Sequence, residues 1–543
     1  MLKVDLFMAA ALLAAVLLFC RYVAKKYQYF LTKPVPCVKP TFLLGSSGPT
    51  IFRKVDVATH FKKIYDVFPQ APVIGFYDFT TPMYLLRDPE MIKKVSTKDF
   101  DYFTDHVPMM PTDAEKEHGP ETLFGNTLLS LRGQKWRDMR STLSPAFTES
   151  KMRHMFELVA ECGRSLVEHF QTEAAAGRTM VHEMKETFSK VGSDLIATLA
   201  FGIKVDSLRE PENVFYANGK KMLNLKSLAT FVKFLLIMFV PRLMRWLKVD
   251  VLNGQSAAYF KRMILDNMEQ REAHKILRND MIQILMEVRK GTLQHQKEEK
   301  DTKDAGFATV EESQVGKSSH SRVWTETELV GQCLLFFLAG LDTISTCMTF
   351  LTYELTVDPD IQQRLYEEIT ETYKSLNGKP LSYDVLQRMQ YMDMIVSETL
   401  RKWPPGVISN RYCNKNYLYD DGRGTQFVIE KGQVILIPSY CIQRDPRYFP
   451  DPDRFDPERF NEANRAQINT SAYIPFDVGP RNCIGSRLAL MEVKCMVYYL
   501  LKDFELIATG KTQIPERIAR DSFGLHPEKG VWIEFKPRNS PDF

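Results

Sequence analysis

From Thr325 to Asp358-Pro359 the sequence carries one long helical pattern: Thr325 and Glu328 have capping-box spacing, and the proline ends the helix at the far side. At about 1.5 Å per residue this helix is roughly 45 Å long, enough to cross the protein. Helical patterns dominate elsewhere too, as in Lys151 to Gln171, Glu183 to Phe201 and Asp360 to Leu376. Strand-like runs are short: Val73 to Tyr77, Met83 to Leu86 and Val434 to Pro438. The predicted class is mainly α with minor β, and no internal repeat is evident. The centre of the long helix holds Ala339-Gly340-Leu341-Asp342-Thr343, an awkward choice for a buried position. Gly340 costs about 1 kcal/mol relative to Ala, and Asp342 among Leu and Phe incurs a desolvation penalty. Such local violations mark candidate functional positions.

The N-terminus reads as a membrane segment. Leu6 to Cys20 is unbroken apolar sequence, and snorkelling of Arg21 extends the helix to Ala24. That gives roughly 28 Å, against a hydrocarbon thickness of about 30 Å. Lys3 and Asp5 precede the run, whereas Arg21, Lys25, Lys26 and Lys33 follow it, so the positive-inside rule leaves the remaining chain in the cytosol. The same basic flank, with no clean small-residue cleavage site, favours an uncleaved anchor over a secretory leader. Pro34, Pro36 and Pro40 predict a stiff strap separating anchor from body. The expected organisation is an anchor at 1–24, a Pro-rich linker at 25–49 and a folded body at 50–543. Lys290 to Arg322 reads as a solvated, mobile loop. Leu225 to Leu247 mixes large apolar residues with Lys226, Lys233, Arg242 and Arg245, so it is either a helix dipping into a membrane surface or a plain core helix and loop.

The charge balance, 71 Lys+Arg against 67 Asp+Glu for a net +4, supplies no field for holding nucleic acid. The nine cysteines are scattered without C-x-x-C pairs or zinc spacing, which disfavours a disulfide scaffold or zinc module. Most of them read as buried, inert thiols.

Cys483 differs. It lies in Phe476-Asp-Val-Gly-Pro-Arg-Asn-Cys483-Ile-Gly485, with a helical run from Ser486 to Leu500 directly after it. Glycines let the backbone approach a flat cofactor and turn amides toward sulfur, and the helix N-terminus stabilises an anion there. This suits a thiolate metal ligand; an anionic sulfur on haem iron pushes electron density toward bound oxygen and favours O–O cleavage.

The pattern F-x-x-G-x-R-x-C-x-G resembles the haem-binding loop of the cytochromes P450, and further motifs of that family occur in order along nearly the whole chain. The resemblance implies haem b (iron protoporphyrin IX) with Cys483 as its axial iron ligand, Phe476 packed near the sulfur and Gly485 beside the cofactor. It implies propionate contacts from Arg481, from Trp136 and Arg140 of W-x-x-x-R, and from Arg411 of Asn-Arg-Tyr, with His106 a lesser candidate. Arginine forks suit carboxylates. Glu398 and Arg401 share a helix face at i and i+3 and, by the same resemblance, lock onto Arg459 of Pro457-Glu-Arg-Phe460 in a structural triad. Ala339 to Thr343 is similar to the family's A-G-x-D-T segment, where a helix kink opens an oxygen groove, Thr343 hydrogen-bonds the oxygen being activated and Asp342 helps feed protons.

No G-x-G-x-x-G follows a strand, so electrons must come from outside the chain. The resemblance implies NADPH as their source through a partner flavoprotein, NADPH–cytochrome P450 reductase, with cytochrome b5 as a second possible donor, on the cytosolic face of the endoplasmic reticulum membrane. Lys135, Arg137 and Lys494 are candidates for a basic docking face. Candidate pocket positions are Leu123, Phe124, Phe336, Phe337, Val407, Ile408 and Phe523, apolar walls that suit a lipophilic substrate. Asp304-Ala-Gly-Phe-Ala-Thr-Val-Glu-Glu-Ser and the run from Cys483 to Lys494 resemble insect microsomal P450s of family nine, many of which oxidise plant toxins and insecticides. Leu488 where Phe is frequent, and Gln443 where His is common, depart from the pattern. The expected activity is NADPH- and O2-dependent monooxygenation of lipophilic xenobiotics. Its alternatives are a dedicated hydroxylase of an endogenous hormone, fatty acid or odorant, a haem-thiolate isomerase or dehydratase, and a non-catalytic haem-binding protein.

Overall fold

The computed structural model describes residues 2–107, 122–210, 212–222, 227–247, 249–278, 280–290, 307–309, 324–522 and 524–538. Among them run the strands β1 (Val73–Asp78), β2 (Thr81–Leu86), β3 (Val181–Glu183), β4 (Ser409–Tyr412), β5 (Tyr417–Asp420), β6 (Gln426–Ile429), β7 (Val434–Ile437), β8 (Phe504–Ala508) and β9 (Trp532–Pro537). The helices that matter for the site are α1 (Leu2–Lys26), α2 (Gly133–Leu143), α3 (Met184–Phe201), α4 (Val214–Met222), α5 (Leu228–Phe239), α6 (Pro241–Trp246), α7 (Glu326–Val357), α8 (Gln390–Lys402) and α9 (Ser486–Asp503). The chain divides into two units: 1–107 with 407–442, and 108–406 with 443–543.

In the first unit a four-stranded sheet has the order β1-β2-β7-β4, with β2 and β7 parallel and the other pairs antiparallel. Interior strand β7 reads Val-Ile-Leu-Ile and is buried throughout, as a strand covered on both faces must be. The β5-β6 hairpin alternates instead: Tyr417, Tyr419, Phe427 and Ile429 face inward, while Leu418 and Val428 are exposed. Helix α1 exposes Phe7, Leu12, Leu13, Leu17 and Leu18, and Phe7–Thr32 is apolar and long enough to cross a membrane.

The Pro-rich segment corrects the expectation of a strap that stands clear. The Val38 amide donates to the Gly75 carbonyl, and the Gly75 amide to the Pro36 carbonyl, each at 2.9 Å. Phe30 is buried, and a Cβ on Gly75 would lie 2.7 Å from its ring, so only glycine allows that approach. The Tyr29 hydroxyl reaches Tyr84 at 2.9 Å and also the Glu430 carboxylate, which Lys33 pairs at 2.7 Å. Residues 27–45 are therefore knit onto the sheet.

The second unit is built around α7. Its N-terminus has the expected capping box, with Glu328 N–H on Thr325 Oγ1 at 3.3 Å and Thr325 N–H on Glu328 Oε2 at 2.8 Å. Helix α3 packs closely along it; a Cβ on Gly340 would come within 2.7 Å of Ile196 Cδ1. That close approach accounts for Gly340. Helix α7 runs without a break through Ala339–Thr343. The sheet β3-β9-β8 completes this unit.

Most of Lys290 to Arg322 lies outside the described residues, but Phe307 and Ala308 are not solvated as expected. Ala308 is buried, the Phe307 ring packs on Phe460 and Tyr473 at 5.0 and 5.2 Å, and its amide donates to Asp393 Oδ2 at 2.9 Å. In α5 and α6, Ile237 and Met244 are buried while Val232, Leu236, Leu243 and Trp246 are exposed.

Candidate functional site

The loop before α9 is held by its own backbone. The Cys483 amide donates to the Phe476 carbonyl at 2.9 Å, and the reversal between them places Asp477 and Gly479 at φ of 64° and 77°. Arg481, Asn482 and Ser486 are buried, yet Cys483 is accessible. Surrounding protein nevertheless desolvates the sulfur and pushes its thiol up, against the Gly485 amide and the Arg140 charge, which pull it down. Among the described residues a Cβ on Gly485 would meet Phe147 alone, at the ordinary contact distance of 3.8 Å, so the loop is not tightly packed there.

Two buried guanidinium groups frame this loop. Arg140 of α2 donates to the Asn482 carbonyl at 2.8 Å and to its Oδ1 at 2.7 Å. Arg481 donates to the carbonyls of Leu128 and Leu131 at 3.2 and 2.8 Å and lies 4.0 Å from the Trp136 ring, a cation–π contact. Phe147, which sequence reasoning missed, packs beside α7: its ring is 5.5 Å from that of Phe336.

Along α7, Leu329–Leu334 and Ile344–Thr356 are buried, but Ala339, Asp342 and Thr343 between them are exposed. Thr343 Oγ1 donates to the Ala339 carbonyl at 2.6 Å. Asp342 Oδ1 accepts from Lys185 Nζ at 2.8 Å and lies 3.0 Å from His526 Nε2. Desolvation raises this carboxyl, but the Lys185 charge and the His526 contact outweigh it and hold it below the ordinary range. Neither basic partner was identifiable from local spacing.

Glu398, Arg401 and Arg459 come together. Arg401 is bidentate on Glu398 at 2.6 and 2.8 Å, both groups being fully buried, and Arg459 Nε lies 3.5 Å from Glu398 Oε1. Gln443 belongs to this network: its carbonyl accepts from Arg401 at 2.9 Å, its amide donates to the Leu400 and Arg401 carbonyls, and its Oε1 accepts from Ile474 N–H. Arg411 and His106 belong to the first unit, where Arg411 is buried on β4 and His106 Nδ1 lies 2.8 Å from the Asn410 carbonyl.

Several pocket and docking candidates are corrected. Phe337 is core, packed by Phe201, Phe215 and Phe260 at 4.8 to 6.1 Å, and Gly219 is required for its approach. Phe124 and Val407 are buried as well. Phe336 is partly exposed, as are Leu123 and Ile408, and Phe523 lies outside the described residues. Lys494 is fully buried on Asp393 at 2.8 Å, and Lys135 is paired with Glu328, so neither presents a docking charge; Arg137 is partly exposed.

This donor set fits an iron porphyrin. Among the described residues no group of three or more His, Cys, Asp or Glu side chains could hold a bare metal ion. A single thiol on an open-sided loop, framed by arginines, suits instead an ion that brings its own macrocycle and carboxylates.

Comparison with known proteins agrees. The family model described as Cytochrome P450 matches residues 44–533. Cytochrome P450 9e2 of Blattella germanica is 38% identical over 527 residues, covering 95% of each chain. Probable cytochrome P450 9f2 of Drosophila melanogaster is 37% identical, covering 98% of this chain and 99% of its own. Cytochrome P450 3A41 of Mus musculus is 30% identical, covering 97% and 96%. With an accessible thiol on its loop and a match that runs nearly end to end, the chain belongs to the cytochrome P450 family, monooxygenases that bind haem and take electrons from NADPH through a reductase partner.

Proposed function

We propose that the protein is a membrane-anchored monooxygenase that inserts one oxygen atom into lipophilic xenobiotics such as plant toxins or insecticides. The observation that carries this reading is the accessible Cys483 thiol on the loop before α9, in the same unit as the exposed stretch Ala339–Thr343 of the largely buried α7. Haem, when bound, supplies oxygen activation and electron acceptance, which no side chain here can provide. Cys483 holds the iron as its thiolate, favoured by the Arg140 charge and the N-terminus of α9. Gly485 leaves room for the macrocycle, Phe476 closes the loop behind the sulfur, and Trp136, Arg140 and Arg481 serve the propionates. Asp342, kept ionised by Lys185 and His526, draws protons from solvent and passes them toward Thr343 Oγ1. The triad Glu398, Arg401 and Arg459 serves folding and haem incorporation.

The apolar helix α1 supports an anchor in the endoplasmic reticulum, and the basic residues after Cys20 support a cytosolic body. NADPH–cytochrome P450 reductase is then the electron donor within reach, with cytochrome b5 as an accessory. The exposed Leu236, Leu243 and Trp246 support contact of α5 and α6 with the same bilayer. Incubating the reconstituted protein with reductase, NADPH and labelled O2, against toxins, insecticides, fatty acids and steroids, tests the reading by mass spectrometry. Label in many unrelated lipophiles supports detoxification. Label confined to one endogenous compound assigns a dedicated hydroxylase, and intact haem without label turns the reading toward an isomerase, a dehydratase or a binding protein.

A further inference from the structure

The first turns of α7 hold a loop of backbone that in turn holds the cysteine loop. Gln332 is fully buried on α7, and its side-chain amide is used at both ends. Its Oε1 accepts from Leu128 N–H at 2.8 Å, and its Nε2 donates to the Asn126 carbonyl at 2.7 Å and the Glu328 carbonyl at 2.8 Å. One residue earlier, a Cβ on Gly331 would lie 3.1 Å from the Leu123 carbonyl oxygen and 3.4 Å from Asn126 backbone atoms. Glycine at 331 thus lets the 123–128 backbone press against the helix, and glutamine at 332 fastens it there. The loop is also internally braced, with Asn126 Nδ2 on the Thr122 carbonyl at 2.9 Å and Leu131 N–H on the Thr127 carbonyl at 2.9 Å.

The other side of this loop faces Arg481. Leu128 gives its amide to Gln332 and its carbonyl to Arg481, and Leu131 supplies Arg481 with a second carbonyl. Both are buried, so neither bond has water to replace it. A rigid backbone carrying a donor on one side and an acceptor on the other is a strut: where α7 places Gln332 decides where the Arg481 guanidinium can sit.

We propose that Gln332 is a positioning residue for the haem edge, acting through Leu128 and Leu131 to fix Arg481 two residues before Cys483. The inference rests on the reading of Arg481 as a propionate partner. It also makes α7 bear on both sides of the site, through Asp342 and Thr343 at its centre and through Gln332 near its start.

The test uses full-length holoprotein and three variants. Gln332→Leu keeps the bulk and removes all three bonds. Gln332→Glu, which burial keeps protonated, can still accept from Leu128 and donate to Asn126. Val330→Ala is an equally buried α7 control. Haem transfer to an apoglobin acceptor and the propionate bending band in the resonance Raman spectrum are measured, with thermal unfolding alongside. Gln332→Leu is expected to release haem roughly tenfold faster, the scale of one lost buried hydrogen bond, and to shift the propionate band. Gln332→Glu should restore both, and Val330→Ala should leave the band in place. An unshifted band in folded Gln332→Leu, or an equal shift in Val330→Ala, overturns the proposal; should Gln332→Leu not fold, a shifted band in folded Gln332→Glu overturns it equally. Failure of the parent protein to take up haem would instead sink the haem-site reading itself.

Discussion

Lys185 and Asp342 meet across 157 residues of sequence, with the Lys185 ammonium donating to Asp342 Oδ1 at 2.8 Å and to its backbone carbonyl at 2.9 Å. The same ammonium reaches Ser345 Oγ at 2.9 Å and Thr346 Oγ1 at 2.6 Å, so α3 is pinned to the middle of α7 by one cation. His526 approaches Asp342 from the loop before β9.

Lys185→Met is expected to raise the Asp342 carboxyl by about 1–3 pH units, because removing the opposite charge leaves His526 alone against desolvation. The sign follows from the depressed value in the folded protein: the acid limb of the turnover–pH profile moves upward. An acid limb identical to that of the parent would show that Asp342 does not control proton supply.

Thr343→Ala removes a hydroxyl that donates to the Ala339 carbonyl of its own helix, so helix and haem content should be unchanged. The expected effect is diversion of NADPH electrons to hydrogen peroxide at the expense of product. Measuring peroxide and product per NADPH consumed checks it.

Arg401→Ala strips Glu398 of its bidentate partner in a fully buried setting, leaving only Arg459 at 3.5 Å and the Asp456 amide at 2.9 Å. The expected loss is about 3–5 kcal/mol, with poor haem incorporation. Denaturant unfolding and the haem-to-protein absorbance ratio measure both, and a stable, haem-replete variant contradicts the structural role.

Glu492 on α9 is buried, and burial alone pushes its carboxyl up to about 8. The folded state therefore keeps a proton that the unfolded chain gives up above about pH 4.3. Stability should fall as pH rises from there toward 8, and Glu492→Gln should flatten that slope. Melting temperatures of both proteins at pH 5, 6, 7 and 8 decide it.

Much of this architecture is legible locally. The capping box at Thr325 and the break at Asp358-Pro359 bound α7 to within a residue, because both signals act on neighbouring backbone. Cys483 stands out because glycines, arginine and a helix start crowd into ten positions. What escapes is carried by distant pairs. Gln332 looks like an ordinary polar residue in an apolar helix until Leu128 is brought beside it, and Phe337 reads as a pocket wall until Gly219 admits its ring to the core. The β5-β6 hairpin escaped for a different reason: four residues of alternation, Tyr417 to Asp420, are too few to outweigh the helical background.

With α1 as the anchor proposed above, the clasp of Phe30 over Gly75 constrains how the protein moves in a bilayer. A helix joined to its sheet by a free tether would let the sheet swing through every azimuth, whereas here the torsions that would allow it are occupied by Phe30, Tyr29 and Lys33. The tilt of α1 is inherited by the β1-β2-β7-β4 sheet, and a partner diffusing in the same membrane meets that sheet within a restricted range of headings.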